Sequence, residues 1–100
     1  MLIYNITFKV DNAIAKEWFQ WQKEIHIPEI METSLFHEYH FYELLDQDAS
    51  EGKTYALQFL TGERNNYDKY LLLFAPTLRQ KAIQKWGNRF IGFRTLLKEV

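Results

Sequence analysis

The sequence contains no cysteine among its 100 residues. Without thiols there is no disulfide, no thiolate zinc or iron–sulfur site and no cysteine nucleophile, so any metal would depend on histidine and carboxylate ligands. Glycine and proline are scarce as well, at 4 and 2 residues. The glycines are too scattered to form a phosphate-binding loop, and no nucleophile elbow occurs.

Long apolar runs are also missing. The longest uncharged runs, such as Tyr70 to Leu78, fall well short of the roughly 20 apolar residues that a membrane helix needs. The chain does not open with a basic segment followed by an apolar one, so we expect no secretory signal. These features predict a cytoplasmic protein without a membrane partner.

What remains is the composition of one globular domain. The chain length suits a single domain over residues 1–100, and 47% apolar with 25% charged residues is ordinary for such a domain. Aromatic residues stand out at 17%. A single core between helices and a sheet does not need so many aromatic residues.

The formal net charge of -1 conceals an uneven distribution. Residues 1–52 carry three basic and ten acidic side chains, whereas residues 53–100 carry nine basic and three acidic ones. The basic run from Arg79 to Arg89 could contact phosphate or RNA. However, a nucleic-acid-binding domain is typically basic, with a pI above about 9, and the pI here is 6.3. We therefore expect a solvated helix face and no nucleic-acid partner.

Four segments have the pattern of β-strands. Residues 2–10 alternate between apolar and polar side chains with a period of two, which predicts a half-buried strand. Residues 35–45, 54–61 and 90–97 are rich in aromatic and β-branched residues. A polar loop over residues 46–52 joins the second strand to the third.

Two amphipathic helices separate these strands. The first is predicted after an N-cap at Asp11-Asn12, with Ile14, Trp18, Trp21 and Ile25 on its apolar face. Since Ile27 precedes Pro28, it should leave the helical region, so the helix should end or kink there before a short second helix.

The second helical region follows the third strand. We expect Asn65 to cap it, Pro76 to interrupt it, and Gly87 or Asn88 to end it. Its apolar face is predicted to comprise Tyr67, Tyr70, Leu71, Phe74 and Leu78, followed by Ala82 and Trp86.

The resulting order, βαββαβ, predicts an α+β fold of ferredoxin-like type, with both helical regions on one face of an antiparallel sheet. The face toward the helices is expected to comprise Leu2, Tyr4, Ile6, Phe8, Tyr55, Leu57, Phe59, Ile91, Phe93 and Leu97. The open face is expected to comprise Ile3, Asn5, Thr7, Thr54, Ala56, Gln58, Leu60, Phe90, Gly92, Arg94 and Leu96.

This open face is too apolar to be left to water, so we expect it to pack on a second copy in a homodimer. The second and fourth strands should lie at opposite edges of the sheet, one acidic and the other basic. The basic edge would comprise Arg89, Arg94 and Lys98. A two-fold dimer could join the acidic edge of one subunit to the basic edge of the other and close a barrel.

Six blocks of the sequence carry a resemblance to known proteins: residues 3–5, 26–28, 44–47, 54–58, 75–79 and 90–97. Together they resemble an uncharacterised bacterial family of ferredoxin-like proteins of about this length, in the dimeric α+β-barrel superfamily. The resemblance implies the fold and dimerisation but no established activity. A more distant similarity links the architecture to cofactor-independent quinol or polyketide monooxygenases and to haem-degrading monooxygenases.

Candidate ligand-binding residues are Asn5, Gln58, Arg94 and His26. The first three should converge on the open face, where Arg94 could anchor a carboxylate or a quinone-like carbonyl. They could instead hydrogen-bond across the dimer, since buried polar groups must be paired. His26 could meet Glu29, or it could satisfy carbonyls that the proline kink frees.

We expect neither a metal nor a cofactor. His37 and His40 are three residues apart on a strand and should point to opposite faces, so they cannot easily share an ion. Haem-degrading monooxygenases are known for an Asn, Trp and His constellation. Asn5 is at a suitable place, but no histidine follows His40, so the second helix lacks an axial ligand.

The sequence therefore predicts a homodimeric protein of unknown function that binds a small ligand or serves as an interaction module. The alternative is a cofactor-independent monooxygenase-like enzyme acting on an aromatic or quinol-like molecule. A ligand-sized cavity would favour the enzyme, and a filled interface would favour the module. No catalytic residue is identified.

Overall fold

Strands and helical segments follow one another in the order expected from the sequence. The computed structural model describes residues 1–100. Its elements are β1 (Leu2–Asp11), α1 (Ala15–Trp21), a π-helical turn (Gln22–His26), α2 (Ile27–Met31), β2 (Glu38–Glu43), β3 (Gly52–Thr61), α3 (Arg64–Leu73), α4 (Ala75–Trp86) and β4 (Phe90–Lys98). The α+β class and the βαββαβ order are thus confirmed.

The four strands form one antiparallel sheet in the order β2-β3-β1-β4. As expected, β2 and β4 are the edge strands. Alternate residues of β1 are buried, from Tyr4 to Val10, and they pack with the helices in one apolar core. Most of the aromatic side chains are in this core. Trp18 is fully buried there, with ring centroids 5.0 Å from Phe8 and 5.3 Å from Tyr55.

The predicted faces of β4 were wrong. In the antiparallel register Arg94 is opposite Ile6 and Gly92 is opposite Phe8, so both belong to the helix-covered face. Ile91, Phe93 and Leu97 are on the open face, where the Phe93 side chain is 63% exposed. A strand's side chains have a period of two, so a register error of one residue exchanges its faces.

Gly92 lies against the Phe8 ring on the helix-covered face of β4. A Cβ atom at this position would lie 3.1 Å from the Phe8 ring, tighter than ordinary van der Waals contact. The absent side chain leaves room for Phe8, which covers the strand from β1. The apolar pattern of β4 therefore does not mark its core-facing side.

The phase of the first helical region also differs from the prediction. Ile25, expected in the core, is 46% exposed, and Gln22 and His26 are buried instead. The cause is the π-helical turn, in which the Ile27 N–H donates to the Gln22 carbonyl five residues back. The wider turn shifts the buried positions by one residue. As a result Trp18, Gln22, His26 and Ile30, each four residues from the next, share the buried side.

The same turn explains how the helix passes Pro28. Ile27 was expected to leave the helical region but keeps helical angles, with φ -61° and ψ -47°. A proline normally disrupts a helix because it lacks an N–H and its ring crowds a preceding carbonyl. Here Pro28 is in the first turn of α2, directly after the π-helical turn, where main-chain hydrogen bonds span five residues instead of four. Helical backbone therefore continues into α2.

Two predicted caps were wrong. Helix α3 begins at Arg64 and its N-cap is Glu63 rather than Asn65. The Asp11 side chain accepts the Ala13 N–H at 2.8 Å in the turn before α1, but it does not cap that helix.

The breaks in the second helical region occur where they were expected. Phe74, at φ -121°, separates α3 from α4, and Pro76 occupies the first turn of α4. Gly87, at φ 62°, ends α4; such a positive φ favours glycine. None of the helices is both long and apolar enough to cross a bilayer.

Candidate functional site

A cavity of about 240 Å³ lies between the sheet and the helices. Its walls come from β1, β3, β4, the π-helical turn, α2, α3 and α4. Most of the lining side chains are apolar. No aspartate or glutamate lines it. Polar groups occur at two places in the wall: two arginines with tyrosines, and the side chains of the π-helical turn.

Two arginines converge on one buried hydroxyl at the β4 side of the cavity. Arg79 of α4 donates from Nη2 to the Tyr4 hydroxyl oxygen at 3.1 Å, and Arg94 of β4 donates from Nε to the same oxygen at 3.2 Å. Neither arginine forms a salt bridge, whereas Arg64, Lys81 and Arg89 each pair with a carboxylate. The cavity therefore carries positive charge that no acidic side chain neutralises.

Tyr70 stands beside this group, with its ring centroid 5.8 Å from that of Tyr4. Burial raises the pKa of Tyr70, and Tyr4 adds to the rise, while Arg79 and Arg94 oppose it. The net shift is upward, so the Tyr70 hydroxyl keeps its proton at neutral pH. Tyr70 therefore adds no negative charge to the cavity and does not neutralise the two arginines.

The π-helical turn contributes Gln22 and His26 to the wall. Gln22 is 1% exposed and its Oε1 has no hydrogen-bond partner; the buried Nδ1 of His26 has none either. The His26 ring stacks on Trp21 with centroids 4.7 Å apart. No main-chain carbonyl accepts a hydrogen bond from His26. The alternative that His26 satisfies carbonyls freed by a kink at Pro28 was therefore wrong, because the helix continues there.

Burial lowers the pKa of His26 to about 4; nearby Glu29 opposes this shift and Lys81 adds to it. The imidazole is therefore neutral at pH 7. A neutral imidazole has one N–H donor and one acceptor nitrogen. Together with the Gln22 amide, it gives this end of the cavity uncharged donors and acceptors.

The structure separates the predicted ligand-binding residues into two groups. Asn5 and Gln58 are on the open face, where Gln58 Nε2 donates to Asn5 Oδ1 at 3.2 Å and Asn5 Nδ2 donates to Thr7 Oγ1 at 3.3 Å. Arg94 does not converge with them, because the register of β4 places it on the other face. Arg94 and His26 line the cavity instead.

Sequence reasoning missed Tyr4, Gln22 and Arg79 as residues of this site. Tyr4 was assigned only to the core, and Arg79 to a solvated basic run. The one signal for Gln22 was its place between Trp18 and His26 in a series of residues spaced by four.

The remaining histidines lie elsewhere. His40 on β2 is directly opposite Gln58 on the open face, and its Nε2 is 3.3 Å from a Glu38 carboxylate oxygen. His37 precedes β2, and its N–H donates to the Leu60 carbonyl. No three histidine, aspartate or glutamate side chains come together as possible metal ligands.

Solved structures share this fold at low sequence identity. A dimeric ferredoxin-like protein from an uncultured marine organism has a TM-score of 0.73 at 10% identity, covering 100% of this chain and 95% of that one. HapK from Hahella chejuensis has a TM-score of 0.70 at 11% identity, covering 100% and 93%. SnoaB, a cofactor-independent oxygenase from Streptomyces nogalater, has a TM-score of 0.64 at 11% identity, covering 98% and 91%.

Sequence comparison adds a family match. No curated protein matches the sequence. The model of one protein family, described as a domain of unknown function, DUF4286, matches residues 1–100. The match spans every element that builds the cavity and the sheet.

Proposed function

The chain belongs to the DUF4286 family of unknown function, and from its cavity we propose that it binds a small, largely apolar anion between the sheet and the helices. The observation that carries this proposal is the pair of guanidinium groups on the Tyr4 hydroxyl, without an acidic partner. Arg79 is half-buried and Arg94 is exposed to solvent, and both line the cavity, so an entering anion can reach them. An anionic ligand would supply the missing charge and accept the remaining N–H donors of both arginines.

The size and lining of the cavity narrow the ligand class. A volume of about 240 Å³ corresponds to about eight water molecules at roughly 30 Å³ each. That space suits a single ring with one or two substituents. The apolar wall favours a ring or short aliphatic body over a sugar or a phosphate, so an aromatic carboxylate such as benzoate is a suitable probe.

We expect Arg79→Met and Arg94→Met each to weaken benzoate binding by at least about tenfold, because a hydrogen bond to a charged group contributes about 1.5–3 kcal/mol. Methionine keeps the apolar stem and removes the charge. Isothermal titration calorimetry at pH 7.5 measures the affinity, and the unfolding temperature with and without benzoate gives an independent reading.

Arg64→Met is the matched control, since Arg64 pairs with Asp68 on the helix surface. It should leave benzoate affinity unchanged. If all three variants bind benzoate equally well, the arginines do not hold the anion and the proposal is wrong.

A second candidate function is a cofactor-independent, monooxygenase-like activity on an aromatic or quinol-like molecule. It is favoured by the neutral His26, which lines the same cavity and could orient a bound hydroxyl by accepting its hydrogen bond. The fold similarity to a cofactor-independent oxygenase adds support by analogy. Oxygen uptake in the presence of a hydroquinone would distinguish an enzyme from a binding protein.

We also propose that two chains pair through the open sheet face. Ile91, Phe93 and Leu97 expose apolar side chains there, and several similar structures are described as dimeric. Attraction between the acidic and basic sheet edges contributes less to this pairing than the sequence suggested. Arg94 donates a hydrogen bond to the Tyr4 hydroxyl, and Arg89 pairs with Asp11 of the same chain. The cytoplasmic location stays a prediction.

Phe93→Asp should convert this dimer to monomers, since a charge would be buried without a partner in the interface. Light scattering after gel filtration at micromolar concentration measures the mass. Leu72→Asp, at a site on α3 that is 76% exposed, should leave the mass unchanged. A wild-type protein that is already monomeric would refute the pairing.

A further inference from the structure

We infer that Gln22 and His26 recognise a hydroxyl group on the ligand, so that the ligand is a small ring bearing both an anionic group and a hydroxyl. This inference rests on the proposed function, because it concerns a second part of the molecule that the arginines hold. It assigns a binding role to the π-helical turn.

Gln22 is the main support for this role. Its side chain is almost completely buried, it lines the cavity, and its Oε1 has no partner in the protein. More than 90% of buried polar groups are hydrogen-bonded in folded proteins, so a buried amide without a partner needs an explanation. The terminal torsion of glutamine is soft, and rotation about it would present the amide to a ligand in the cavity.

His26 adds a second polar group from the same turn. Its Nδ1 is also buried without a partner, and stacking on Trp21 fixes the plane of its ring. The π-helical turn brings both side chains to the wall and leaves the apolar Ile25 exposed to solvent. Isolated π-helical turns are rare and are frequent at functional sites.

The chemistry of the two side chains selects the ligand group. The Gln22 amide has an NH₂ donor group and an oxygen acceptor, and the neutral His26 imidazole has one N–H donor and one acceptor nitrogen. A hydroxyl both donates and accepts, so it can satisfy one group of each kind at once. A second carboxylate would only accept and would leave Oε1 unpaired, whereas an ammonium group would lie in a cavity already made positive by Arg79 and Arg94.

The test uses benzoate and its three monohydroxy isomers at pH 7.5, where the carboxyl group is ionised. We expect at least one isomer to bind the wild-type protein about tenfold more tightly than benzoate, the gain of one buried hydrogen bond. Gln22→Met, which keeps the shape of the side chain, should remove this advantage, so that the preferred isomer binds this variant no more tightly than benzoate does. Gln58→Met, on the open face, should retain the advantage.

The outcomes separate this inference from the proposed function. If no isomer is preferred, or if Gln22→Met weakens benzoate and the hydroxybenzoates equally, the inference is wrong and the anion site stands. If benzoate does not bind, or binds independently of both arginines, the proposed function and the inference both fail.

A measurement on the wild-type protein covers the case in which Gln22→Met does not fold. The side-chain amide resonances of Gln22, assigned by triple-resonance NMR, should shift with the preferred hydroxybenzoate and much less with benzoate. Equal shifts with both ligands would overturn the inference.

Discussion

Replacement of Trp18 by alanine is expected to lower the free energy of unfolding by about 3–5 kcal/mol, the range for large aromatic residues in cores. Trp18 is 0% exposed and its ring contacts those of Phe8, Phe41 and Tyr55. A domain of this size has only about 5–15 kcal/mol of stability. Urea unfolding followed by circular dichroism should therefore show a much lower midpoint.

Two variants make this test specific. Trp18→Phe should cost less than Trp18→Ala, because it keeps an aromatic ring and the lost Nε1 makes no hydrogen bond. Leu72→Ala, at an exposed position, should change stability by no more than about 0.5 kcal/mol. Equal losses for Trp18→Ala and Leu72→Ala would mean that Trp18 does not anchor the core.

Acidification from pH 6.5 to pH 4 should remove about 3 kcal/mol of stability through His26 alone, since each unit of pKa shift corresponds to about 1.36 kcal/mol. The pKa of His26 falls from 6.5 to about 4 on folding because burial disfavours the charged ring. Between these values the unfolded chain binds a proton that the folded chain does not. Stability therefore falls as the pH is lowered through this window, and the loss is complete below the folded pKa.

His26→Gln isolates this contribution from that of the carboxyl groups. The variant should have a flatter stability profile between pH 6.5 and pH 4 than the wild-type protein, measured by urea unfolding at each pH. Leu72→Ala, which replaces no titratable group at an exposed position of α3, should give a profile parallel to that of the wild-type protein. Parallel profiles for wild type and His26→Gln would contradict the buried, neutral state of His26.

The element order, the edge strands and the break near Pro76 were predictable, because they depend on local patterns, whereas the break expected at Pro28 does not occur. The faces of β4 were not. Alternation along a strand gives two possible faces, and only its pairing with β1 decides which one meets the helices. The apolar Phe93 suggested the wrong face, because alternation alone cannot tell an apolar side chain in the core from one that is exposed.

The candidate site was predictable only in part. Arg94 and His26 were selected from the sequence, but the cavity that they share depends on the register of β4 and on the π-helical turn. In the π-helical turn the Ile27 N–H donates to the Gln22 carbonyl five residues back, and this wider turn shifts the following buried position from Ile25 to His26. Arg79 joins Arg94 through Tyr4, from which it is separated by 75 residues.

The alternation along β4 also constrains how the sequence can change. Gly92 and Arg94 face the cavity, and Phe93 faces away from it. Insertion or deletion of one residue in the connection from α4, residues 87–89, would exchange the two sets at once. The cavity would lose Arg94, one of its two cations, and the outer surface would gain it. We therefore expect length variation among relatives to be tolerated in the loop between β2 and β3 and excluded from this short connection.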